Sequence, residues 1–149
     1  MADSKIPPRS LEAEECLLGS ILIDKDAIIS VAEFLRPEHF YHDANGQVFK
    51  AMLALYEERA PIDLITVSEK LKKQKVLTKI GGASYLTELT NRVPTSAHTE
   101  EYGKIIKDNY TKRELISAAA RITEKAFDES QGANEVLDRA EQEVFSLSQ

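Results

Sequence analysis

The chain has no tryptophan and one cysteine, Cys16, among 149 residues. A lone thiol excludes an intramolecular disulfide and points to a reducing compartment. Cations are in deficit, with 19 Lys and Arg against 25 Asp and Glu and a net charge of −6. Gripping nucleic acid unaided takes clustered cations to neutralise phosphates, so this balance argues against that class. The densest basic run, Lys70, Lys72, Lys73, Lys75 and Lys79, reads as a solvated helix face. No apolar run approaches the ~20 residues of a membrane span. Met1 to Lys5 also lacks the apolar core of a secretory signal. The expectation is a soluble, cytoplasmic protein with no membrane partner. The sequon at Asn109-Tyr110-Thr111 is then coincidental.

Glycine is scarce, at 6 residues, and its only adjacent pair decides one question. A phosphate-cradling loop needs G-x-x-x-x-G-K-[ST] after a strand. Gly81-Gly82 is followed by Ala83-Ser84-Tyr85-Leu86, without the lysine or the spacing, and reads as a turn into a helix. No nucleotide cofactor is expected in these residues. His39 and His42 with Asp43 could face one side of a turn. Structural metal sites usually need four ligands, and the third histidine, His98, opens another helix, so no metal is expected. Hydrogen bonding that orders the Phe40-Tyr41 connector is the plainer role. Cys16 lies beside Leu17 and Leu18, with Glu14 and Glu15 near to raise its pKa, and reads as a packed small hydrophobe. No catalytic constellation is present, and the expectation is a non-enzymatic domain.

What is present is helical periodicity. Pro7-Pro8 holds the start extended and Ser10 caps a first helix with Leu11, Leu17, Leu18, Ile21 and Leu22 on one face. Asp24 caps a second helix carrying Ala27, Ile28, Val31 and Leu35, stopped by Pro37. Asp43 or Asn45 opens a third, with Val48, Phe49, Met52, Leu55 and Tyr56. Asp63 caps a fourth, with Leu64, Val67 and Leu71. Gly81-Gly82 precedes a fifth, with Tyr85, Leu86 and Leu89. Thr95-Ser96 caps a long helix from Ala97 to about Phe127. A break at Asp128 to Gly132 leads to a return helix, Ala133 to about Ser148. Convincing strands are absent, so the fold class is all-α: a compact helical head, 1–94 with an extension over 1–9, then a long antiparallel helical hairpin, 95–149.

Two antiparallel helices alone bury too little to be stable, which points to assembly. The expected seam pairs Ile116, Ala119 and Ile122 with Val136, Ala140 and Val144. Tyr110, Phe127 and Phe145 are the candidates for self-association. A rival reading is a stand-alone DNA-binding module, with a helix-turn-helix within Asp63 to Asn91. The acidic balance and the lack of an Arg-rich recognition helix weigh against it.

Several stretches, taken in order, resemble the N-terminal domain of the bacterial replicative DNA helicase, the hexameric DnaB-type family. They are Pro7-Pro8-x-Ser10-Leu11-Glu12-Ala13-Glu14, Leu18-Gly19-Ser20-Ile21-Leu22 and Arg36-Pro37-Glu38-His39-Phe40-Tyr41. Pro61 to Val67, Gly81 to Leu89 and Val93-Pro94-Thr95-Ser96-Ala97 follow. Glu101-Tyr102, Arg113-Glu114-Leu115-Ile116 and Leu137 to Gln142 complete the pattern. Cys16, Glu15 and the basic segment Lys72 to Lys79 depart from it.

The resemblance implies a collar that associates with itself as a dimer or a trimer of dimers, a hexamer. It implies docking of the primase C-terminal domain, and a helicase loader as a further partner. ATP, Mg and most DNA contacts would belong to a motor domain outside these residues. The residues expected at the primase surface are Tyr85 as an aromatic anchor, Glu12 as a rim charge, and Ile116 with Ile122 as a hydrophobic stripe.

Overall fold

Hydrogen-bonding side chains of Ser10, Asp24 and Asp63 open three of the elements in the computed structural model, which describes residues 6–92 and 98–149. Ser10 Oγ accepts from the Ala13 amide at 3.1 Å and opens α1, Leu11–Ile23. At Asp63 the exchange with Thr66 is reciprocal, 2.8 Å each way, and opens α3, Leu64–Lys73. Between these lies α2, Asp43–Glu57. After α3 come α4, Leu77–Ile80, and α5, Gly82–Arg92. The long α6 is Thr99–Phe127 and α7 is Ala133–Leu147. The described residues contain helices, turns and loops and no strand, so the fold is all-α. The expected cap at Thr95-Ser96, the start at Ala97 and the boundary at 94/95 lie outside the described residues.

One expected helix differs. The segment after Asp24 is a 3-10 stretch, Lys25–Ser30, followed by turns, and a second 3-10 turn spans Pro37–His39. Asp24 caps it through the Asp26 amide, a local bond that favours tight i→i+3 closure. The periodic residues Ala27, Ile28, Val31 and Leu35 are all buried nonetheless. Burial period was right and helix type was wrong, because short 3-10 and α turns share a spacing near three.

Two compact units emerge among the described residues: Arg9–Lys107, and Asp108–Gln149 with residues 6–8. The larger unit holds the core, with Leu17, Leu18, Ile21, Phe49, Met52, Leu71, Leu86 and Leu89 fully buried. Phe40 and Phe49 stack with ring centroids 5.1 Å apart. Gly103 admits a close approach, since a β-carbon there would lie 2.8 Å from Val31 Cγ1. Gly81 has φ of 110°, which ends α4 where an L side chain would be strained.

Both α2 and α3 end in the left-handed conformation without glycine. Arg59 has φ of 59° and Lys75 has φ of 63°. The amides of Ala60 and Val76 reach back to Leu55 O and Leu71 O at 2.9 and 3.0 Å, a Schellman closure. Glycine is the favoured residue there, so Arg59→Gly should raise stability by about 0.5–1 kcal/mol. Thermal unfolding checks this, and a fall in Tm would contradict it.

In the smaller unit the 128–132 break is an Asx turn. Asp128 Oδ1 accepts from the Ser130 amide at 3.0 Å and from Ser130 Oγ at 2.7 Å. These bonds hold the Asp128 carboxyl below the usual carboxylate range. α7 then returns along the second half of α6, and none of its residues is buried.

Candidate protein-docking site

The facing positions of the hairpin are Ala118 and Ile122 on α6 and Val136, Ala140, Glu143 and Leu147 on α7, each half-buried or better. This corrects the expected seam. Ile122, Val136 and Ala140 are in it, but Ile116, Ala119 and Val144 are exposed. The cause is Glu143, a charged residue at a seam position. Arg121 clamps it, Nε at 2.9 Å from Oε2 and Nη2 at 2.8 Å from Oε1. The hydrogen bonds from Arg121 hold the Glu143 carboxyl below its ordinary value. The clamp is therefore fully present at neutral pH and is lost as pH falls through that depressed value.

This seam gives the hairpin two unlike sides. Arg121 precedes Ile122 and Arg139 precedes Ala140, and both line one notch with Lys125, Gln142, Glu143 and Ser146. Ile122, Val136 and Ala140 form its floor, and three cations face one carboxylate around it. Residues one position after the seam turn to the opposite side by helical geometry. They are Ala119, Thr123, Leu137, Glu141, Val144 and Ser148, all exposed, with Leu137 at 59 % and Val144 at 50 %; Ala126 shares the Ala119 face seven residues on. One side carries the exposed apolar groups, interrupted by Thr123 and Glu141, and the other carries the cations. Phe127 and Phe145, 80 % and 66 % exposed, lie further round, as does Ile116. Tyr110 is half-buried under the Arg113 guanidinium, 5.9 Å from the ring centroid, and Arg113 Nη1 donates to Pro8 O at 2.7 Å.

The head candidates sit on α1 and α5, which pack extensively on each other. Glu12 is exposed in the first turn of α1 and lines an open cleft with Leu11, Glu15, Cys16 and Arg92. Arg92 Nη1 lies 3.1 Å from Glu15 Oε1. Cys16 is buried, and burial, then Glu12 and Glu15, push its thiol up against the opposing Arg92.

Tyr85 differs from its expected role as a wet anchor. It is half-buried and its hydroxyl donates to Asn45 Oδ1. Burial first, then Glu15 and Glu14, push that phenol up to about 12. Asn45 Nδ2 in turn donates to Glu14 Oε1 at 2.9 Å, and the Tyr41 and His42 amides donate to the same carboxylate at 2.6 and 3.3 Å. Glu14, only 1 % exposed, thus caps the start of α2 from another helix. A buried carboxylate so held was unreadable from its place among Glu12, Glu14 and Glu15. His39 Nδ1 accepts from the Arg36 amide at 3.0 Å, which fixes the connector.

The chain matches the family model described as DnaB-like helicase N terminal domain over residues 6–108. It is 37% identical over 145 residues to the replicative DNA helicase DnaB of Geobacillus stearothermophilus, covering 97% of this chain and 32% of that protein. The chain thus spans about a third of that relative. Among solved structures it is similar to the N-terminal domain of DnaB helicase from Mycobacterium tuberculosis, with TM-score 0.89 and 38% identity over 95% of this chain and 99% of that one. It is also similar to the N-terminal domain of DnaB helicase from Helicobacter pylori, a structure described with its interactions with primase. There the TM-score is 0.67 and the identity 30%, over 77% of this chain and 89% of that one. No helix among the described residues is long and apolar enough to cross a membrane. The chain belongs to the DnaB-like helicase N-terminal domain family.

Proposed function

We propose that this domain is the self-associating, partner-docking collar of a cytoplasmic replicative helicase, in which ATP, Mg and most DNA contacts belong to a motor domain. The observation that carries this reading is the two-sided hairpin. α7 buries no residue, yet it presents Leu137 and Val144 beside Ala119 and Ala126 of α6. Such a face is stable in water when a second copy covers it, and a two-fold contact is the commonest way to do so. Phe127, Phe145 and Ile116, further round, suit contacts in a larger ring. The charged notch on the other side stays open for a different partner.

Primase is that partner in this reading, since a relative in the same family is described with it. The notch offers an apolar floor with a cationic rim, which suits an apolar side chain flanked by carboxylates. Ile122 is the element of the expected docking stripe that reaches this site, and Glu12 supplies a separate acidic rim on the head.

Calorimetric titration of the primase C-terminal domain against wild type, Ile122→Ala and Arg139→Glu tests this. Arg139 is exposed, so its replacement leaves the fold alone. Both variants should bind at least about tenfold more weakly, while Tyr85→Phe binds as wild type does. Unchanged affinity in Arg139→Glu would remove the notch from the docking surface.

A further inference from the structure

The acidic chain contains one stretch with no carboxylate, residues 70 to 87, and it carries five lysines. The structure does not spread them around one helix. Lys72 and Lys73 occupy the last turn of α3, Lys75 is the left-handed residue that closes it, and Lys79 is in the last turn of α4. The Lys75 amide donates to Lys72 O at 3.0 Å and that of Val76 to Leu71 O at 3.0 Å, so the chain turns back on itself here. Lys70 is committed to Glu58 at 2.5 Å. The other four are exposed. Besides Glu58, the carboxylates that border the run are Glu69 and Glu88 at its two ends in sequence, and Asp43, which lines a cleft with Lys79.

We propose that Lys72, Lys73, Lys75 and Lys79 form a sequence-independent contact for the sugar–phosphate backbone of single-stranded DNA. The inference rests on the helicase reading above for the presence of a strand. Two observations select a phosphate chain over an acidic protein. Between residues 66 and 92 no large apolar side chain is exposed, and the exposed Ile65 lies in the first turn of α3, two turns before Lys72, whereas protein docking relies on apolar anchors close to the charges. Of the groups between the lysines, Gln74 and Thr78 are polar while Val76 and Leu77 pack against the core, and phosphate contact needs only placed cations. Lys75 also holds a charge at a left-handed position where glycine is favoured.

The test is fluorescence anisotropy of labelled oligothymidylate with the whole chain across a salt series. Three to four neutralised phosphates predict a log–log slope of about −2 to −3, or roughly a 20- to 50-fold loss of affinity for a fourfold rise in salt. The variant Lys72→Gln/Lys73→Gln/Lys75→Gly/Lys79→Gln should lose at least about tenfold at low salt and flatten the slope. Its melting temperature should hold, because Lys75→Gly relieves the strained φ. Lys104→Gln/Lys112→Gln, two exposed lysines elsewhere, should bind as wild type. Three results would overturn the proposal: no wild-type binding at low salt, a quadruple variant that binds normally, or equal affinity for oligoglutamate of matched charge. Mass measured on the same samples separates the two readings. Oligomers that ignore DNA refute this inference alone, and monomers that bind it refute the collar alone.

Discussion

Replacing Glu14 with alanine should cost about 3–5 kcal/mol of folding free energy, because it strands several buried donors at once. The carboxylate accepts from the Tyr41 and His42 amides and from Asn45 Nδ2, and no cation partners it in a salt bridge among the described residues. Its charge is balanced by oriented N–H groups at the start of α2, which is how a helix N-terminus tolerates a buried anion. Truncation leaves those amides facing a cavity and frees Asn45, which loosens the hydroxyl of Tyr85. For a chain of this length the loss corresponds to roughly 10–15 °C in Tm. Glu14→Gln keeps one acceptor but points an amide group at donors, so it should fall between wild type and alanine. Denaturant unfolding of the three proteins checks the order. A Glu14→Ala variant as stable as wild type would show that the network holds nothing.

The second large effect concerns association. Leu137→Glu/Val144→Glu should convert the assembled domain to monomer while its helix content survives. Each side chain is at least half exposed within one chain, so the substitutions break no intramolecular core. In a two-fold contact each replacement occurs twice. At about 2 kcal/mol per pair of buried anchors, the double variant loses at least about 4 kcal/mol, or some thousandfold in Kd. Phe127→Glu and Phe145→Glu should behave differently. These rings lie off the Leu137–Val144 side, so their loss should trim higher assemblies and leave the dimer.

Much of the head was legible in the sequence, because capping oxygens and apolar spacing act locally. Ser10, Asp24 and Asp63 each cap the segment they were expected to open, and Val48, Phe49, Met52 and Leu55 are buried as their period requires. Long-range polar contacts were not legible. Asn45, a plausible helix opener, turns its side chain to Glu14 and Tyr85, which lie 31 and 40 residues away in sequence. That pairing also fixes the Tyr85 hydroxyl inside the head, against the expectation of a wet ring. The hairpin seam was misplaced by one step for a different reason. Hydropathy favours Val144, but a bidentate arginine makes Glu143 the better seam residue. Val136 and Ala140 keep their expected places on α7, and only Val144 moves out of the seam. Ile122 stays near the seam, whereas Ile116 faces away from it.

The central claim is that the apolar side of the hairpin is covered by a second copy of the chain. Sedimentation equilibrium of the wild-type chain over a wide concentration range tests it most directly, with Leu137→Glu/Val144→Glu run beside it. The account predicts a wild-type mass of two or more chains that falls toward one on dilution, and a single-chain mass for the variant throughout. A wild-type protein that stays at the mass of one chain at the highest concentrations would contradict it.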